Sequence, residues 1–266
     1  MRGEQISAGL LVTTLGVGVV GTLAYWYWAK QFKATGLHQA TIKRAKQSKP
    51  QARDKTVYLI RHGQSTFNAE YAKTEVDPFL FDAPLSQLGE VQVAELANSW
   101  EQRKGREALP EIVFASPLTR ALQTAAGGLA PLGVEVRVEP LLREHLTDSC
   151  DIGRTPVELA KEFPALSFSH LDEIWWYIDP EADEPLSTVK ACQDVFIKYG
   201  YMEPLRVLEA RLDSLIDMLA ARPECTIALV GHGDFMNALA ERIDPSETDL
   251  WLDNCEVAKV QLICVQ

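Results

Sequence analysis

Apolar residues fall along this chain in two repeating patterns separated by turn-forming stretches. Short runs at Val57–Ile60, Ile112–Ala115 and Thr226–Val230 have the length and the apolar, partly β-branched content of buried strands. An alternating stretch from Val134 to Leu142 and a run from Val257 to Val265 predict two more strands. Between them, Leu88, Val91, Ala94, Leu96 and Trp100 recur near helical spacing in a helix opened by Leu85. Leu205, Leu208, Leu212, Leu215, Ile216 and Leu219 draw a core-facing stripe on a helix from about Glu203 to Arg222, which Pro223 stops. Strands alternating with helices belong to the α/β class.

The start of the chain follows neither pattern. After a short tail, residues 1–6, the stretch from Ser7 to Ala29 carries no charge and is long enough to span a bilayer. It predicts a transmembrane helix over 7–29, with Tyr25-Trp26-Tyr27-Trp28 where an interfacial aromatic belt belongs. A cleaved signal peptide fits less well, because the apolar region is too long and lacks a small-x-small site after it. Gly16-Val17-Gly18-Val19-Val20-Gly21 matches a dinucleotide-binding spacing, but no strand precedes it and it lies inside the span. Its small residues would instead permit self-association of the helix.

Charge divides the remainder. Residues 30–55 form a basic linker, with eight Lys and Arg side chains against Asp54 alone, and leave the rest of a chain of net charge -11 strongly acidic. Positive residues beside a span stay on the cytosolic side, so the domain that follows, 56–266, is expected to face the cytosol. The mitochondrial outer membrane and the endoplasmic reticulum both suit such an anchor. The same collar would be drawn to anionic headgroups, or would serve as a plain solvated spacer.

Candidate chemistry sits at the strand ends. The first strand stops at Arg61-His62-Gly63, the place where open α/β sheets bind ligands. A guanidinium grips a phosphoryl group bidentately, and an imidazole beside it can attack phosphorus or carry a proton. Gly63 is expected to allow a tight turn there. The second strand delivers Ser116-Pro117 and places Arg120 in the first turn of a helix, whose amides suit an anion. The alternating strand leads to Arg143-Glu144-His145, and the fourth ends in Gly231-His232-Gly233.

These stretches, with Leu85-Ser86, Gly89, Gln92 and Thr124-Ala125, resemble the histidine phosphatase superfamily over roughly residues 56 to 266. The resemblance implies a three-layer α/β/α sandwich with a mostly parallel central sheet, preceded here by the one transmembrane helix. It also implies hydrolysis of a phosphomonoester without metal or cofactor. In that scheme neutral His62 attacks phosphorus, and Arg61, Arg120 and protonated His232 clamp the oxygens. Glu144, at a strand end, protonates the leaving group. Asn68 and Gly233 match substrate-binding positions, while Phe67 stands where the family often has tryptophan. A phosphoglycerate-mutase-type phosphotransferase is the alternative. Mutases of the family use extra lid segments, including a C-terminal tail, whereas this chain ends at Gln266 directly after a predicted strand. The substrate is expected to be a phosphorylated small molecule or a phosphoprotein. A non-catalytic membrane tether is the reading from another class, and the intact residue set argues against it.

Residues 146–200 form an acidic, aromatic insert expected to lie over the site. Trp175-Trp176-Tyr177 would either select substrate or pack the insert onto the core, and the acidity disfavours nucleic acid as a partner. Cys150, Cys192, Cys225, Cys255 and Cys264 show no C-x-x-C pair and suggest neither a disulfide framework nor a zinc site.

Overall fold

The architecture rests on one sheet. In the computed structural model, which describes residues 53–180, 186–246 and 250–264, five strands assemble in the order β3-β2-β4-β1-β5. They are β1 (Lys55–Arg61), β2 (Ile112–Ala115), β3 (Glu135–Val138), β4 (Thr226–Gly231) and β5 (Val257–Leu262). The first four in that order run parallel and β5 is antiparallel to β1. Parallel strands need both faces covered, which explains the unbroken apolar runs of β1, β2 and β4.

Alternation along β1 divides the core. Tyr58 and Ile60 join Val113, Ala115, Ala228 and Val230 on the face covered by α2 (Gln87–Arg103) and α3 (Thr119–Gly128). Trp100 of α2 is fully buried there and meets the Tyr58 ring edge-on at 5.0 Å, a pair contributing about 0.5–1.5 kcal/mol beyond its burial. Val57 and Leu59 point the other way, toward α7 (Gly233–Ile243), on which α6 (Leu205–Ala221) packs. The expected α/β/α layering follows.

Two boundaries move from their predicted places for local reasons. β3 stops at Val138 rather than running to Leu142, because Pro140 has no N–H for a ladder and opens a 3-10 turn, Pro140–Leu142. Helix α2 begins at Gln87, where the Ser86 hydroxyl accepts from the Gly89 amide. Four helices had no counterpart in the periodicity: α1 (Thr66–Thr74), α4 (Pro156–Glu162), α5 (Val189–Tyr199) and α7. α7 is buried from Phe235 through Ala240, Asn237 included, and keeps only a narrow polar stripe along Asp234, Asn237 and Glu241.

The insert packs rather than roofs with its aromatic residues. Trp175 and Trp176 are buried in the core cluster, and the Trp175 indole presses on Gly153 and donates to the Arg154 carbonyl at 2.9 Å. Asp172 and Glu173 face solvent. The predicted transmembrane segment 7–29, and all but the last three residues of the basic linker, lie outside the described residues. Among the described residues no helix is long and apolar enough to cross a membrane.

Candidate active site

The site exists because β1, β2 and β4 end level. Register pairs Arg61 with Gly231 and Ala115 with Val230, so Arg61-His62, Ser116 and His232 emerge side by side. The His62 amide donates to the Gly231 carbonyl at 2.9 Å and the Ser116 amide to the Val230 carbonyl at 3.0 Å, which extends the ladder one residue into the site.

The loop after His62 is held from several sides. The Gly63 amide donates to the Thr124 hydroxyl at 3.0 Å, and that hydroxyl donates to the Arg120 carbonyl at 2.7 Å. Gln64 is bracketed by Ser86 and Gln92: its amide donates to the Gln92 side chain at 2.8 Å, and its carbonyl accepts from the Ser86 amide at 2.8 Å. Asn254 reaches across from the β5 side to the His62 carbonyl at 2.9 Å. Gly63 is not in a left-handed conformation, so tight turning is not its reason. Space is: a Cβ there would stand 2.8 Å from the Gly89 carbonyl.

These contacts define one tautomer of His62. Its Nδ1 lies 2.7 Å from the Gly63 carbonyl, which can only accept, so Nδ1 carries the proton. Its Nε2 accepts from Arg120 Nε at 3.2 Å and therefore holds the lone pair, on the side of the ring facing that guanidinium. Burial, with Arg120 and Arg61 close by, holds the ring well below the usual histidine range despite the Gly63 carbonyl. That keeps His62 neutral near pH 7.

His232 stands beside His62. Its ring meets His62 edge-on at 5.1 Å between centroids, and burial plus Arg120 push its pKa down as well. That keeps the ring neutral near pH 7. The Ser116 hydroxyl sits 2.8 Å from Nε2, and with the Ser116 proton donated there, Nδ1–H is a buried donor without a partner. Arg61 Nε is another, its Nη1 being spent on the Leu252 carbonyl at 2.7 Å. The Arg61 guanidinium lies alongside Gly233, at ordinary contact distance, 3.4 Å, from where a Cβ would be. Buried donors left unmatched are rare, and an anion such as a phosphoryl group would satisfy both.

Arg120 is fully buried in the first turn of α3, and the insert meets it there. Its Nη1 donates to the Cys150 carbonyl at 2.7 Å and its Nη2 to Asp151 at 2.9 Å. Sequence reasoning did not single out Asp151; one acid among many in the insert carries no spacing signal. Glu144 lies on an irregular segment beyond the Pro140–Leu142 turn, not at a strand end. Its carboxyl caps α7, accepting from the Phe235 amide at 2.9 Å and the Asp234 amide at 3.3 Å. Burial, followed by Asp234 and Asp151, pushes its pKa up to about 8 against the pull of its hydrogen bonds. Asn68 Oδ1 accepts from Ser65 in a capping box at the start of α1. His145 points away from the site, Nε2 to the Glu203 carbonyl at 2.7 Å. Among the described residues no group of His, Cys, Asp and Glu is arranged to hold a metal ion.

The family model of the histidine phosphatase superfamily, branch 1, matches residues 57–263. This chain belongs to the histidine phosphatase superfamily. A probable phosphatase of Schizosaccharomyces pombe is 28% identical, over 68% of this chain and 74% of the relative. A 2,3-bisphosphoglycerate-dependent phosphoglycerate mutase of Bifidobacterium longum is 43% identical, over 77% of this chain and 80% of the relative. Among solved structures, a phosphoglycerate mutase from Bacillus anthracis aligns with TM-score 0.50 and 16% identity, covering 79% of this chain and 88% of that one, a likeness of fold alone. As a histidine phosphatase the chain is an enzyme of the phosphatase or phosphotransferase kind.

Proposed function

We propose that this histidine phosphatase hydrolyses a phosphomonoester through a phosphohistidine on His62, without a metal ion. The observation that carries the reading is the His62 tautomer, with Nδ1–H bound by its own chain and a lone pair on Nε2 beside buried donors. Nε2 attacks phosphorus in line as the ester P–O bond breaks, and Glu144 gives its proton to the departing oxygen. Arg61, Arg120 and His232 Nδ1–H stabilise the charge on the non-bridging oxygens. The dianion itself favours protonation of His232, which strengthens the clamp. Water then attacks the phosphohistidine while the Glu144 carboxylate takes its proton; the P–N bond breaks and inorganic phosphate leaves.

Phosphotransfer to a second substrate is the competing reading, and the 43% identity to a mutase speaks for it. The two share the first half-reaction and differ in what attacks the phosphohistidine. The test uses the purified full chain and its His62→Ala variant with phosphoserine, phosphopeptides and phosphoglycerates. Release of inorganic phosphate that survives chelator and disappears in the variant supports hydrolysis; return of label to a second phosphoglycerate supports transfer. Equal turnover by both proteins would remove His62 as nucleophile. The uncharged stretch from Ser7 to Ala29 and the basic collar support a single-pass anchor with the enzyme facing the cytosol, a placement that protease digestion of intact vesicles would refute by sparing residues 56–266.

A further inference from the structure

Glu144 belongs to no strand or helix, yet a proton donor must be placed to within a fraction of an ångström. What places it is a buried ion pair from outside the site. Arg211 of α6 and Glu203, just before that helix, have side chains 3% and 0% exposed and meet at 2.6 Å. Arg211 spends all five of its N–H donors. Nε and one Nη2 proton go to Glu203, Nη1 goes to the carbonyls of Leu141 and Arg143, and the other Nη2 proton to that of Glu144 at 3.3 Å. Glu203 completes the enclosure. Its carboxylate accepts from Arg143 at 2.8 Å, its carbonyl takes His145 Nε2 at 2.7 Å, and its amide donates to the Leu146 carbonyl at 3.0 Å. Leu141, Arg143, Glu144, His145 and Leu146 are therefore each tied to this pair.

The same guanidinium lies 4.6 Å above the Phe235 ring, and the Phe235 amide is a donor to the Glu144 carboxyl. The pair thus holds both the backbone of Glu144 and the helix start that receives its side chain. Stability alone does not explain it, since apolar residues of similar volume commonly serve a core as well as or better than a buried ion pair. We propose that Glu203 and Arg211 are positioning residues for proton donation by Glu144, acting on the leaving-group step without touching the phosphoryl group. This rests on the phosphohistidine reading above.

The test separates leaving groups. An alkoxide, as from phosphoserine, needs the proton; nitrophenolate, from para-nitrophenyl phosphate, leaves largely without it. Arg211→Lys keeps the charge but has three donors in place of a five-pronged fork. It is expected to lower kcat/KM, which reports phosphorylation of His62, on phosphoserine by roughly 10²-fold, within the usual reach of general acid catalysis, with kcat/KM on the aryl ester staying within about tenfold of the parent. Glu144→Gln is expected to show the same discrimination in kcat/KM, because the second task of Glu144, taking the proton of the attacking water, is common to both esters. Should Arg211→Lys fail to fold, Glu203→Gln combined with Arg211→Met and Arg143→Met removes all three charges of the cluster together and carries the same expectation. Equal loss on both esters, tracking a fall in melting temperature, would reduce the pair to scaffold and overturn the proposal. So would unchanged turnover of phosphoserine. Trapping labelled phosphohistidine on His62 in parent and variants distinguishes the two failures: label with uniform loss sinks the clamp alone, whereas no label in the parent sinks the underlying mechanism.

Discussion

Replacing Gly89 by alanine probes whether α2 sets the position of the nucleophile's loop. A Cβ at Gly89 would stand 2.1 Å from the Gln64 carbonyl oxygen and 3.0 Å from its carbon. Ordinary contact begins at 3.4 Å, so Gln64 must retreat by about 1.3 Å. The atoms in the way are backbone, and no side chain can swing aside. That carbonyl also accepts from the Ser86 amide, and Gln64 is two residues from His62, so the retreat breaks a bond and drags the nucleophile.

Two magnitudes follow, and they make the test sharp. Alanine is favoured over glycine inside a helix by about 0.8–1 kcal/mol, so without the close approach Gly89→Ala would stabilise the protein. Overpacking costs roughly 1–3 kcal/mol, and a contact this short sits toward the upper end, for a net loss of about 1–2 kcal/mol. A misplacement on the order of 1 Å at a reacting group costs about 10²-fold in turnover. Denaturant unfolding and phosphohistidine formation read the two effects separately. A variant more stable than the parent, with unchanged phosphorylation of His62, would refute the reasoning and detach α2 from the site.

The pH profile gives a second prediction. With His62 held well below 6.5 and Glu144 raised to about 8, kcat/KM on phosphoserine is expected to lose no enzyme protonation step near pH 6.5 and to fall above about pH 8; the upper limb should vanish in Glu144→Gln. The same carboxyl shapes stability: its folded pKa exceeds the unfolded value of 4.5, so its contribution is full below that pH and is lost as pH rises toward about 8. Melting temperatures of parent and Glu144→Gln should therefore converge in acid and separate, in the variant's favour, by pH 8. Thr124→Val, nearly isosteric and fully buried, removes the acceptor of the Gly63 amide and is expected to cost about 1–3 kcal/mol in denaturant unfolding. No loss would mean that Gly63 finds another acceptor and that Thr124 does not tether the loop.

Much of this was legible from residue order. The apolar runs of β1, β2 and β4 are bounded by the very residues that form the site, because a parallel sheet places its ligands at strand ends. Ser86, Gly89, Gln92 and Thr124 were legible only as matches to a family pattern. The structure supplies their physical reason: each holds Gln64 or Gly63 rather than a substrate. Asn68 matched that pattern too, and its Oδ1 also serves a capping box, to which a side chain at the third position of a helix is well suited.

What stayed hidden is separated along the chain. Asp151 reaches Arg120 from 31 residues away, and Arg211 reaches the Glu144 carbonyl from 67. Neither shows a local signal; Arg211 sits among the leucines of an amphipathic stripe, where an arginine reads as a solvated interruption. Its burial follows from Glu203, and that of Glu203 from Arg143 and Arg211, so each charge is tolerable inside the protein only with the others present. A reading residue by residue assigns such groups to the surface, and it is their mutual satisfaction in the fold that turns three exposed-looking charges into the frame around a proton donor.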